Sequence, residues 1–239
     1  MTAVGAQTRM ELILTLRRGE SLIVTMGIPL LFLILFSRLD IAGDEISSID
    51  FLVPGILALS IIATAMVSFS ISTGFDRQYG VLKLLGGSPL TRTQLIGSKV
   101  IAICAIEVVQ IALVIIIGVF LDWSPAGGYW QAAIVMLVGT VCFAGLGLWI
   151  AGTLRAEGTL ALSNGLFVLV ILIGGVVFPL DRLPDVLTGA SKALPAAAFG
   201  DALRRAFAGD PALISVPFAV LVVWAVVFCV LAAITFKWE

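Results

Sequence analysis

Apolar residues run almost unbroken through six stretches of this chain, roughly 21–37, 51–74, 96–121, 130–152, 159–179 and 214–236, with polar residues gathered between them. A helix crosses about 30 Å of hydrocarbon with about 20 apolar residues at about 1.5 Å each. Each run therefore has the dimensions of a membrane span. The first is short and carries Pro29, which predicts a bend; the third is long enough to tilt or protrude. The pattern predicts an all-α polytopic membrane protein, with residues 1–239 forming a single transmembrane domain.

Two segments outside the runs have helical patterning of their own. In residues 1–20, Met10, Leu12, Ile13 and Leu16 cluster on one side of a helical wheel, with Glu11, Thr15 and Arg18 on the other. Arg9 and Arg17 intrude on the apolar side. This predicts an amphipathic helix lying along the inner leaflet, with a solvated tail as the alternative. Between the fifth and sixth runs, Leu183, Val186, Leu187, Ala190 and Leu194 fall at i, i+3, i+4, i+7 and i+11. After Pro195 a second stretch puts Phe199, Leu203 and Phe207 on one face, and Asp201 four residues before Arg205. Both pieces are too short and too charged to span, so they are expected to lie in or dip into the outer leaflet.

Composition narrows the function. Hydrophobic residues make up 60% of the chain and charged residues only 12%, more apolar than a soluble core requires. Lys and Arg number 14 against 15 for Asp and Glu, which gives no case for nucleic-acid binding. The placement of charge says more: Arg9, Arg17, Arg18, Arg77, Lys83, Arg92, Lys99, Arg155 and Lys237 all fall on one side once the N-terminus is put inside. The 38–50 loop opposite carries Asp40, Asp44, Glu45 and Asp50 against Arg38 alone. Both termini are thus expected in the cytoplasm of a plasma-membrane protein. Arg17-Arg18 ahead of an apolar run resembles a signal peptide, but no small-x-small pair follows at a fitting distance, so the run reads as a retained span. Cys104, Cys142 and Cys229 lie inside apolar runs and read as packed thiols; histidine is absent. Metal and acid–base enzyme readings lose their usual ligands and bases.

The segment between the second and third runs, FDRQYGVLKLLGGSPLTRTQLIGSK (residues 75–99), is more elaborate than a turn needs. Asp76–Leu85 reads as a short helix ended by Gly86-Gly87, with Pro89 turning the chain into the third span. Leu82 and Leu85 would be exposed apolar residues there, which favours a docking element over a mere charged anchor. Asp76-Arg77, Gly80, Leu82, Leu85, Pro89-Leu90 and Lys99, together with Phe178-Pro179, Leu183-Pro184, Leu194-Pro195 and Arg204 or Arg205, resemble the permease subunits of ABC-2 type exporters, in particular the drug-resistance, daunorubicin-exporter-like members. The likeness covers essentially the whole chain. It departs at Asp76, where members often have Glu, and at Lys83, where they often have an acid.

The resemblance implies a permease that exports a lipophilic or amphipathic solute such as a drug, lipid or glycolipid. It makes residues 75–99 a coupling element, with Asp76, Arg77, Gly80, Leu82, Lys83, Leu85 and Pro89 meeting an ATPase, and makes Phe178, Pro179, Leu183, Pro184 and Pro195 an outer gate or re-entrant motif. No GxxxxGK[ST] sequence occurs, so ATP and Mg are expected on two separate nucleotide-binding subunits and none on this chain. Six spans are half of the usual pathway, which implies a second permease, identical or related. Within the spans, Glu107 and Gln110, one turn apart, and Asn164 are candidate path residues, with hydrogen-bonded structural roles as the alternative. A different class of function remains open, an ATPase-independent proton-coupled transporter or channel using Glu107. In the fourth run Gly147 and Ala151 are spaced for close helix packing.

Overall fold

A computed structural model of the chain describes residues 3–17, 19–38, 48–81, 91–179, 189 and 191–236. The described residues are mostly helical, with no strand among them. In order they are α1 (Ala3–Arg17), α2 (Gly19–Phe36), α3 (Ser48–Ile62), a π-helical turn (Ala63–Ser68), α4 (Phe69–Gln78), α5 (Arg92–Phe120), α6 (Tyr129–Thr153), α7 (Ala156–Ile173), α8 (Pro195–Phe207) and α9 (Val216–Thr235). Among the described residues five helices are long and apolar enough to cross a bilayer, namely Ile49–Gln78, Thr93–Phe120, Tyr129–Thr153, Ala156–Ile173 and Val216–Thr235. The apolar helix Thr25–Phe36 within α2 is shorter.

The continuous helix formed by α3, the π turn and α4 is the axis of the molecule. Its Leu52, Ile56, Leu57, Leu59 and Ile62 are fully buried, whereas α7 and α9 leave most of their apolar surface outward, as helices in hydrocarbon do. Close approach to this axis depends on small residues. A Cβ on Gly147 of α6 would lie 3.0 Å from the carbonyl oxygens of Ala65 and Met66 in the π turn, which is the packing role expected of the small residues in that run.

Local chemistry sets the helix ends. Thr91 and Gln94 form a reciprocal capping box at the start of α5: the Gln94 amide donates to Thr91 Oγ1 at 3.3 Å, and the Thr91 amide donates to Gln94 Oε1 at 2.9 Å. Pro195 opens α8, where its missing N–H costs nothing. The second span runs further than its apolar pattern indicates, to Gln78, and the fifth stops earlier, at Ile173. There Gly174 caps the helix and Gly175, at φ +63°, turns the chain back through the buried residues Val176 and Val177.

The helix expected after Pro195 is present and buries the expected face, with Phe199 and Leu203 at 0% exposure and Phe207 at 5%. It is set in among α3, α6 and α9. Its ion pair differs from the expected one: Asp201 pairs with Arg204 at 2.9 Å, and Arg205 faces outward. Of the helix expected over 183–194, residues 183–188 and 190 lie outside the described residues; Gly189, Ser191 and Lys192 are helical and the chain turns at Ala193 and Leu194.

The amphipathic helix expected at the N-terminus is also present, but turned. Met10, Leu14 and Leu16 are exposed, and Glu11 faces the protein, because α1 packs along α5 and a carboxylate there finds a buried cation.

Candidate functional site

At the end of the bundle nearest α1, one ammonium group joins three helices. Lys99, near the start of α5, is 4% exposed. Its Nζ lies 2.6 Å from Asp76 Oδ2 in α4 and 2.9 Å from Glu11 Oε1 in α1. A buried ammonium is tolerated only when paired, and two carboxylates on separate elements satisfy it. Asp76 and Lys99, the two ends of the 75–99 segment, are thereby held together, so the segment departs from and returns to a fixed base. Leu82, Lys83, Leu85 and Pro89 lie outside the described residues.

The neighbouring residues fasten the same base to the turn between α6 and α7. Arg77 donates from Nη2 to the Leu154 carbonyl at 2.5 Å, and Gln78 Nε2 donates to Glu157 Oε1 at 3.0 Å. Gly80 follows the helix end at φ +71°, a turn that glycine makes without strain. Asp76 and Arg77 thus belong to the last turn of the second span, which ends at Gln78, and the short helix expected over Asp76–Leu85 is interrupted by the turn at Tyr79 and Gly80.

Above the Lys99 node a cavity of about 340 Å³ runs between α1, α2, the π turn and α5. Its walls alternate hydroxyls, Thr15, Thr25, Thr64, Ser68 and Ser72, with apolar surface from Phe69, Ile103 and Ile106. Thr64 and Ser68 reach it from the π turn; such turns are frequent at functional sites, and nothing in the sequence ATAMVS announces one.

Of the polar residues expected in the spans, Gln110 is a bridge: its Oε1 accepts from Thr64 Oγ1 at 2.8 Å and its Nε2 donates to the Thr25 carbonyl at 3.3 Å, joining α5 to the π turn and α2. Glu107, one turn earlier, points to a different helix. Its Oε2 accepts from Thr140 of α6 at 2.6 Å, while Oε1 is buried without a protein partner. The two therefore belong to separate contacts. Asn164 is exposed on α7 and donates to its own helix at Leu160, 2.9 Å away, so it does not join two helices; its side chain reaches the rim of the 340 Å³ cavity.

At the opposite end, Arg204 of α8 does what sequence reasoning could not assign. Its Nε donates to the Phe51 carbonyl at 3.3 Å, Nη1 to Asp201 at 2.9 Å, and Nη2 to the carbonyls of Gly175 and Val176 at 2.8 and 3.0 Å. Its carbon centre lies 3.7 Å above the Phe51 ring. A planar donor fork can serve this many acceptors at once, and an ammonium cannot. Phe178 packs edge-on against Phe36 of α2 at 5.5 Å, Pro179 is buried, and Pro195 starts α8; Leu183 and Pro184 lie outside the described residues.

A bundle of apolar spans with a short helix set in among them, a polar-walled cavity and an ion-paired base at one end defines a polytopic membrane protein. Residues 3–208 match the sequence model of the ABC-2 type transporter family, and the chain belongs to that family. It is 26% identical over 165 residues to the probable multidrug ABC transporter permease YbhR of Escherichia coli K12, covering 68% of this chain and 45% of that protein. It is 25% identical over 186 residues to the probable multidrug ABC transporter permease YbhS of the same strain, covering 74% and 48%. ABC transporter G family member 20 of Dictyostelium discoideum is 28% identical over 159 residues, 65% of this chain and 22% of that protein. The chain thus spans less than half the length of the curated relatives it matches.

Proposed function

We propose that this chain is the permease of an ATP-driven exporter, moving a lipophilic or amphipathic solute such as a drug, lipid or glycolipid outward across the plasma membrane. Two separate nucleotide-binding subunits supply ATP and Mg, and a second permease, identical or related, completes the pathway. Both termini lie in the cytoplasm, so the Lys99 node faces the ATPases.

The observation that carries this reading is the rigid base under residues 75–99. Force applied to a segment is transmitted only if the segment's ends cannot yield. Here Asp76 and Lys99 are bonded to each other, Lys99 holds α1, and Arg77 holds the α6–α7 turn. A push on Leu82 or Leu85 would move four spans and the interfacial helix together. The cavity with hydroxyl and apolar walls, opening beside α1 near the inner leaflet, suits an amphipathic solute entering from the bilayer. The names of the E. coli relatives, multidrug permeases, support efflux.

The test is co-purification in mild detergent with ATP hydrolysis blocked. A stoichiometric Walker-motif ATPase should accompany the protein and be lost from the Leu82→Asp, Leu85→Asp double variant. Recovery of the protein alone, or of an ATPase indifferent to that change, would overturn the assignment and leave proton coupling through Glu107 as the better reading.

A further inference from the structure

The walls of the polar cavity beside α1 share one hydrogen-bonding sense, set by where their protons already point. A hydroxyl has one proton to give and two lone pairs to offer. Thr15 Oγ1 donates to the backbone carbonyl of Glu11 at 2.8 Å, Ser72 Oγ to that of Phe69 at 3.1 Å, and Thr64 Oγ1 to Gln110 Oε1 at 2.8 Å. These three wall hydroxyls therefore meet the cavity as acceptors. The charged end agrees with them. Glu11 Oε1, Glu11 Oε2 and Asp76 Oδ2 lie 2.9, 3.0 and 2.6 Å from Lys99 Nζ, one oxygen for each N–H of the ammonium. Lys99, at 4% exposure, thus has no proton free for a solute, while Glu11, at 14%, remains within reach of one. Two carboxylates around one ammonium leave this end with one net negative charge. Neighbouring described cations do not offset it: Arg77 is turned to the Leu154 carbonyl, and Arg9 and Arg17 are exposed on α1.

We infer that this cavity selects cationic amphiphiles, a protonated amine on an apolar body, and rejects anionic ones of the same shape. The inference rests on the exporter reading above and narrows its solute. An ammonium head seated by Glu11 gives its N–H groups to oxygens that have no proton of their own left to offer, and its charge is opposite to that of the node. The apolar body then lies along Ile103 and Ile106 of α5. From Lys99 to Ile106 is seven residues of helix, about 10 Å, room for the head and the first part of a chain or ring system. A sulfonate or phosphate head would meet the same lone pairs and the same negative charge, in surroundings where low polarity strengthens the repulsion. Selection therefore comes from the acceptor-only walls and the uneven carboxylate count together. Glu11 is a specificity residue on this account as well as a structural one, because it belongs both to the ion-paired base and to the cavity wall.

The test is photolabelling of the full-length protein in bilayer nanodiscs without nucleotide. The probes share a dodecyl chain with a diazirine at mid-chain and carry a primary amine, a trimethylammonium or a sulfonate head; labelled positions are mapped by peptide mass spectrometry. The amine should label Ile103 and Ile106 and be displaced by unlabelled dodecylamine, while Val108, exposed on the same helix, should take up label from every probe without saturation. The sulfonate should behave at Ile103 as it does at Val108. Glu11→Gln leaves Lys99 paired one to one with Asp76 and should raise the amine concentration for half-saturation about fivefold, the worth of one partly exposed ion pair. Thr15→Val with Ser72→Ala should weaken the amine and spare the trimethylammonium probe, which has no N–H to give. Label at Ile103 that does not saturate, or a sulfonate that competes as well as the amine, overturns the proposal. So does half-saturation unchanged by both Glu11→Gln and the hydroxyl double variant. None of these results touches the exporter reading, which is decided separately by whether the ATPase co-purifies.

Discussion

Lys99 and Arg204 are both cations that the fold takes inside, and each is matched differently. Lys99 is held by two carboxylates, so its removal leaves like charges facing each other. Breaking a buried pair by deleting one partner costs about 3–5 kcal/mol, and the partial exposure of Glu11 and Asp76 places Lys99→Met at the lower end. Thermal unfolding in detergent should show that loss. The triple change Lys99→Met, Glu11→Gln, Asp76→Asn should recover most of it, since no unpaired charge remains; no difference between single and triple variants would refute the node. Arg204 is matched mainly by carbonyls, so Arg204→Lys keeps the charge and still fails. An ammonium would leave at least one buried carbonyl of Phe51, Gly175 or Val176 unpaired, a loss of about 1–3 kcal/mol. An Arg204→Lys protein as stable as the parent would show that the fork geometry is unimportant. At this scale the sequence was legible in identity and opaque in pairing. Motif likeness picks out Asp76 and Lys99, but their partner Glu11 is 65 positions before Asp76 and reads as part of a polar face, because a helical wheel cannot show that a polar face is turned toward a buried cation.

Helices were the most legible level, because a run of about 20 apolar residues has few other uses. What the pattern missed is where backbone geometry departs from the α-helix without a compositional mark. The π turn at Ala63–Ser68 is the clearest instance: its residues are as apolar as their neighbours, yet the backbone there widens from α to π. A π turn takes up one extra residue while leaving the flanking helices in phase, so deleting Ala65 should let it relax to α-helix with α4 held in place, whereas inserting an alanine after Ala65 should rotate α4 by about 100° relative to α3. Asp76 would then swing away from Lys99. Limited proteolysis reads this directly, since trypsin should spare Lys99 in the parent and in the deletion variant, where it is buried, and cut after it in the insertion variant. Continued protection in the insertion variant would mean that the register of the π turn does not set the phase of α4. The fifth span ended early for a related reason, two successive glycines that a hydropathy count scores as neutral and that the backbone uses to reverse direction at Gly175.

For the molecule as a whole, the least packed span indicates where another body belongs. Glu157, Ala161, Asn164, Val168 and Leu172 follow one another along α7 at helical spacing, and all are exposed. Most of that face could meet lipid without cost, but Asn164 cannot, because an amide in hydrocarbon is retained where it can bond to another helix. Its donor is occupied only within its own helix, at Leu160, and it stands at the rim of the polar-walled cavity, so a second permease set against α7 would cover the amide and close that cavity from the side. Such a contact could not be read from the chain's own sequence, since Asn164 looks like an internal helix-to-helix bridge until the neighbouring helices are placed and no described helix bonds to it. In a background with Cys104, Cys142 and Cys229 changed to Ala, Asn164→Cys should form a disulfide-linked pair on mild oxidation in the membrane. Val226→Cys, equally outward on α9, should stay monomeric. Equal cross-linking at both positions would reduce the result to random collision, and none at Asn164 would move the permease contact to another face and leave the cavity open to lipid.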